Sequence, residues 1–466
     1  MHAGQNLTRL ELIIVIVIAL GSYMGGLDAS IVNIALPSIA ESLNISTVTV
    51  SWVLNAYLIV MVSFLLAASR IGDIKGYKWV FLSGFGIFIA GTALCGIAPD
   101  IWWLLCARVF QAIGGAITSA LGAVMVTTYL SARVRGQALG IIAMFLMLGI
   151  AIGPVIGGFL ISVFSWRYIF FVNIPIGILG IILGFYLLPH KAPLFPDVKL
   201  DIFGILLFFL ALSLLIIGLT SIEKDNPVKG VALILCSLMC WGLFWMQERR
   251  ISYPLIKPSL FHNRNYSLQS IGILLSQMGI SGVLVIMPFY LEIVRAIPPD
   301  TTGIIVLTLP FGMILTAPIS GKIADVIGTK KPIIVGFALC ATAQFLLSTL
   351  TADTRVGHIG MYLMLLGAGT GIAFSPLTTA LMNESPEADR GATSGLLRVM
   401  SNLGSTLGVA AVMFIAILVA GPKIAEVASH LIPPSDLVYA FDYAFLFGML
   451  ISLAGLCLTL FVRHPG

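Results

Sequence analysis

Apolar residues in this chain fall in long unbroken runs, and a window of about 19 residues finds fourteen of them along the 466 positions, the first at 12–36 and the last at 440–462. Each run is long enough for a helix to cross a hydrocarbon core of about 30 Å at about 1.5 Å per residue. None alternates between apolar and polar positions as a barrel strand does. The pattern predicts an all-α integral membrane protein of fourteen transmembrane helices, with almost no chain left for a soluble domain. The first run follows Arg9 directly, yet it exceeds the short apolar core of a signal peptide and reads as a retained first span.

Composition agrees: 59% of residues are apolar and 10% charged, where a soluble domain carries roughly a quarter charged. A soluble enzyme is excluded. The 25 Lys and Arg exceed the 20 Asp and Glu by five, and their distribution sets the orientation. With the N-terminus inside, seventeen of the basic residues lie in inner connections and six in outer ones, while Arg108 and Arg398 fall inside spans. An excess of basic residues on the inner side places both termini in the cytoplasm, in a multi-pass protein of the cell membrane. There is no basic run, so nucleic acid is not an expected partner. The six cysteines lie within apolar runs without metal-ligand spacing, and no metal site is expected.

The chain repeats itself at long range. The loop after span 2 reads SRIGDIKGYK and that after span 10 reads GKIADVIGTKK, with Asp73 and Gly76 standing 252 residues before Asp325 and Gly328. Arg135-Gly136 before span 5 matches Arg390-Gly391 before span 13, at a separation of 255. Such echoes imply two pseudo-symmetric six-helix bundles, 1–190 and 262–466, joined by two inserted linker helices at 191–261.

Span 5 carries the sharpest local pattern, Gly140, Gly149, Gly153-Pro154 and Gly157-Gly158. Small residues three and four apart make a flat face for a neighbouring backbone, and an internal Pro removes one ladder bond. This string resembles the antiporter motif of the major facilitator superfamily, in particular its fourteen-helix drug:proton antiporter branch. Leu27 to Pro37 resembles the branch's first-helix motif. Arg108-Val109-Phe110-Gln111 with Gly114-Gly115-Ala116 resembles the fourth-helix motif, with Ala112 where Gly is usual. Trp166 to Phe170 with Asn173-Ile174-Pro175 resembles the opening of the sixth helix. The loop after span 2 departs from the family pattern at Ser69, Ile74 and Tyr77, while its copy keeps Gly321, Asp325 and Gly328. The resemblance covers essentially the whole chain and implies the major facilitator fold and alternating access. It also implies that Asp73 faces the start of span 13 near Gly391 and Asp325 the start of span 5 near Gly136. Arg135 and Arg390 would add charge pairs to that gating latch.

Asp28 is the deepest acid. A carboxylate within a span is costly to ionise and belongs beside a wet path or a partner. Counted along the helices, Asp28 lies about 24 Å from the inner end of span 1 and Arg108 about 9 Å from the outer end of span 4, which are similar heights. The resemblance places both spans at the cavity of the first bundle. Arg108 is therefore expected to hold Asp28 ionised when close and to release it for protonation when the helices shift. Glu292 and Asp442 near outer span ends read as interfacial, His262 and His358 sit at span ends, and Arg398 is expected to snorkel to the inner surface. One deep acid argues against divalent organic cations as substrate.

Asn33, Asn55, Gln111 and Gln277 are candidate polar contacts for substrate, and Trp52, Met144, Phe145, Met147 and Phe374 a candidate apolar wall. For the amides, hydrogen bonding between helices is an equal alternative. Gly367, Gly369 and Gly371 lie within a span and read as helix packing, not as a nucleotide loop.

The expected function is a proton-coupled exporter of hydrophobic or amphipathic small molecules, with the proton as coupling ion, no other cofactor, and the lipid bilayer as its solvent. An uncoupled facilitator, an exporter of one metabolite or lipid, and a non-transporting sensor or scaffold stay open as alternatives. So does an accessory envelope subunit. An enzyme is not expected, because a lone deep acid supplies no nucleophile, metal or acid pair.

Overall fold

The structure, a computed structural model, describes residues 8–130, 134–190, 193, 201–221, 227–251, 257–351, 353–386, 390–420 and 434–462. Those residues form helices and no strand. The first half comprises α1 (Arg9–Ser42), α2 (Thr47–Lys75), α3 (Tyr77–Gly96), α4 (Ile101–Tyr129), α5 (Arg135–Val163), a single turn α6 (Tyr168–Phe171) and α7 (Asn173–Leu187). The inserted pair is α8 (Ile202–Ser221) and α9 (Pro227–Glu248). The second half comprises α10 (Arg264–Phe289), α11 (Pro299–Ile327), α12 (Lys330–Leu347), α13 (Val356–Asn383), α14 (Arg390–Ala420) and α15 (Pro434–Leu460). With α6 and α7 counted together, fourteen spans are long and apolar enough to cross a membrane. The protein is a multi-pass membrane protein.

Helix ends follow the local sequence. Thr8 opens α1 with a capping box, its hydroxyl accepting from the Glu11 amide while the Glu11 carboxylate accepts from the Thr8 amide. Ser46 and Asp100 cap α2 and α4 through the amides of Thr49 and Trp103. A π-turn, Tyr290–Val294, continues α10 just beyond Pro288, where the ring removes a ladder donor.

The long-range echo is built into the backbone. Gly76 and Gly328 both take positive φ, 89° and 83°, so the sharp link between one helix and the next is made the same way in both halves. Two residues beyond each glycine stands a lysine. Lys78 donates to the Phe185 and Leu188 carbonyls at the end of α7, and Lys330 to the Leu460 and Val462 carbonyls at the end of α15. A cation there satisfies orphan carbonyls and the negative end of the helix dipole. Packing repeats too: α1 on α5 answers α10 on α14, α2 on α4 answers α11 on α13, α3 on α4 answers α12 on α13, and α3 on α7 answers α12 on α15.

Between the halves, α5 packs on α11 and α14 on α2. With the side of the N-terminus taken as inner, the tightest approach is outer. A Cβ at Gly158 would strike the Pro299 carbonyl, and one at Gly303 the Pro154 carbonyl. An apolar cluster at the same side joins Ile31, Val50 and Leu54 to Ile286, Val409 and Met413. Toward the inner side, Gly140 on α5 and Gly395 on α14 have open space where a Cβ would stand. The inserted hairpin leans α8 on α2 and α14, with Phe208 and Phe244 in the inner apolar cluster. Only 22% of the membrane window of α9 is buried, so lipid must cover the rest.

Candidate functional site

Glycines bring two helices, α2 and α3, close onto α4 around Arg108. Gly91 on α3 leaves room for the Gln111 backbone, which a Cβ would meet at 2.6 Å. Gly115 on α4 makes way for the Tyr57 hydroxyl of α2, at 2.5 Å from the same imagined atom. Such close approach stacks Arg108 over the Tyr57 ring, 4.1 Å from Cζ to the centroid, and sets Gln111 beside Thr92.

Asp28 and Arg108 form an ion pair with both side chains fully buried, Arg108 Nη1 lying 2.9 Å from Asp28 Oδ2 and 3.1 Å from Oδ1. The depth count from the sequence anticipated that pairing. Nη1 also donates to Gln111 Oε1 at 2.7 Å, and Nε to the Val53 carbonyl at 3.1 Å. Gln111 Nε2 in turn donates to Asp28 Oδ1 and to Thr92 Oγ1. One guanidinium nitrogen thus serves the carboxylate and the amide together, while Nη2 has no hydrogen-bond partner. This is weaker than a two-nitrogen fork and easier to dissolve. A buried pair balances desolvation against attraction, but removing either charge leaves the other stranded.

The span 5 string packs directly behind Asp28. Gly149, Gly153 and Gly157 face α1 at Leu27, Ser30 and Ile31, and the Ser30 hydroxyl donates to the Gly149 carbonyl at 3.3 Å. Pro154 and Gly158 face α11 instead, and Gly140 faces open space. One helix therefore touches both the segment carrying the ion pair and the outer closure between halves.

The other predicted residues are more scattered. Gln111, expected as a substrate contact, is engaged by the ion pair. Asn55 is fully buried and makes no hydrogen bond, and Asn33 donates only to the Ala29 carbonyl. Gln277 is part-exposed beside Gly404, Trp52, Phe145 and Phe374 lie against the inner apolar cluster, and Met144 is exposed with Met147 part-exposed. Asp73 pairs within its own segment, 3.5 Å from Arg70 and 2.6 Å from the Tyr77 hydroxyl. The side chains of Arg135, Asp325 and Arg390 lie outside the described residues. Arg398 does not snorkel: its Nη1 donates 2.8 Å across the halves to Ser119 on α4. Thr92 and Tyr57 were missed, since a single polar atom in an apolar run carries no signal of its partner.

The profile of the Major Facilitator Superfamily matches residues 18–408 and 269–466. The chain belongs to the Major Facilitator Superfamily. It is a membrane transporter, not an enzyme. Riboflavin transporter RibZ of Clostridioides difficile is 32% identical over 401 residues, covering 85% of this chain and 86% of that protein. Multidrug resistance protein Stp of Mycobacterium tuberculosis is 30% identical over 412 residues, covering 87% and 75%. The crystal structure of a bacterial homologue of the human lysosomal transporter Spinster, inward-facing and unoccupied, shares the fold with a TM-score of 0.70 at 14% identity, over 99% of this chain and all of that one. In this superfamily member, the residues around Asp28 form the one fully buried ion pair among the described residues.

Proposed function

We propose that the chain is a proton-coupled exporter of hydrophobic or amphipathic small molecules, working by alternating access in the cell membrane with both termini in the cytoplasm. The observation that carries this reading is the sealed Asp28–Arg108 pair lying against the helix that closes the outer side. With the outer side closed, Asp28 is paired with Arg108 and sealed from water. Opening outward admits water and a proton to Asp28, which frees Arg108 and loosens α1 from α4. Return to the inward-open form expels the proton as the pair re-forms and substrate binds. The proton is the coupling ion, and the cycle uses no other cofactor. Likeness to a multidrug resistance protein supports export of amphipathic compounds.

A second reading, a dedicated carrier for one metabolite, is favoured by the likeness to a riboflavin transporter. The test is proton release in lightly buffered detergent as riboflavin or an amphipathic dye such as dansylglycine is added. Release with the dye supports multidrug antiport, release with riboflavin alone supports the dedicated carrier, and no release with either contradicts proton-coupled exchange of these compounds.

A further inference from the structure

Beyond the ion pair of the first half, Arg398 is a further charge within a span, and it stands at the gap between the halves. Arg398 lies in the span Gly395–Ala416 of α14, and its Nη1 donates to Ser119 Oγ of α4, so the guanidinium bridges the gap between the two halves. Among the described residues no carboxylate lies within ion-pair distance of it, the two ion pairs there being Arg70–Asp73 and Arg108–Asp28. Guanidinium keeps its charge at any physiological pH, and a serine hydroxyl does not neutralise it. A charge at membrane depth marks a path or a binding group unless it is paired. The face that carries Arg398 borders open space. Gly395, one turn before it, has nothing within 4 Å of where a Cβ would stand, and Arg398 and Asn402, one turn after, are both part-exposed. Asp28 cannot serve as its counter-charge, because Arg108 and Gln111 already occupy it.

We propose that Arg398 binds an anionic group of the transported molecule, so that the chain selects amphipathic organic acids over organic cations; this rests on the transporter reading above and narrows its substrate class. Without substrate, Ser119 holds the guanidinium across the gap. An arriving carboxylate takes the place of that hydroxyl and offers two oxygens to the planar fork, a match that neither a neutral nor a cationic analogue can make. A cation meets like charge at the same point.

Three fluorophores with one apolar body and different charge test this: dansylglycine, an anion, dansylamide, neutral, and dansylcadaverine, a cation. Equilibrium binding to the whole protein in detergent needs no gradient. Wild type is expected to bind dansylglycine about 10- to 100-fold more tightly than dansylamide, the range of a charge-assisted hydrogen bond, and dansylcadaverine most weakly. Arg398→Gln should bring dansylglycine to the dansylamide level and leave dansylamide within about twofold, while Arg398→Lys keeps part of the preference. Ser119→Ala should retain the preference, since the hydroxyl only parks the guanidinium. Undetectable dansylglycine binding, no preference in wild type, or equal weakening of all three probes by Arg398→Gln overturns the proposal. Charge preference without gradient-driven efflux would overturn the proposed antiport and leave this inference standing. Efflux without charge preference would do the reverse.

Discussion

The two halves share one frame and differ at its centre. In the first, α1, α3 and α4 enclose Asp28, Arg108, Gln111 and Thr92 in a charged network. In the second, 252 residues on from Asp28 and Thr92, stand Ile280 and Gln344. There Gln344 donates to the Gly279 carbonyl at 3.1 Å and accepts from the Ser452 hydroxyl at 2.8 Å, a neutral link among α10, α12 and α15. The same helix packing is thus held by a network that a proton can change in one half and by one it cannot change in the other. In the proposed cycle the coupling chemistry belongs to the first half, while the second contributes the charge of Arg398, which hydrogen-bonds Ser119 across the gap.

The largest effect that would sharpen this contrast comes from removing the cation. Arg108→Ala strands a buried Asp28 and should cost about 3–5 kcal/mol, read as a fall in the unfolding midpoint in detergent. A change within error would mean that the pair is already solvated. Gln111→Leu should cost about 1–3 kcal/mol and also shift the pH dependence of transport, because Asp28 loses a donor. If stability falls while the pH profile stays fixed, Gln111 is merely structural. The smallest effect belongs to the second half. Gln344→Leu should cost about 0.5–1.5 kcal/mol and leave the pH profile untouched. A shifted profile there would erase the distinction between the halves.

Most of the fold could be read from the sequence, because lipid forces each span to satisfy its own backbone and so to announce itself as an apolar run. The repeat was visible at Gly76 and Gly328, where the backbone demands glycine, but not at Lys78 and Lys330, whose partners are carbonyls far along the chain. The site was half legible. Asp28 and Arg108 stood out because charge is rare at that depth, and helix rise alone put them level. The sequence leaves Gln111 open between substrate contact and interhelix hydrogen bonding because an amide fits either role, and the approach of α3 at Gly91 sets it beside Thr92 and Asp28. Distance from the helix end alone puts Arg398 at the inner surface. The position of α4, which gives it a nearer partner in Ser119, is a tertiary fact that no local pattern encodes.

The central claim is that the Asp28 carboxylate carries the coupling proton. The direct measurement is dye efflux from vesicles reconstituted with Asp28→Asn, driven by an imposed pH gradient, alongside exchange of the same dye at equal pH. Loss of gradient-driven efflux with exchange retained is the predicted result. Gradient-driven efflux at the wild-type rate would contradict the account.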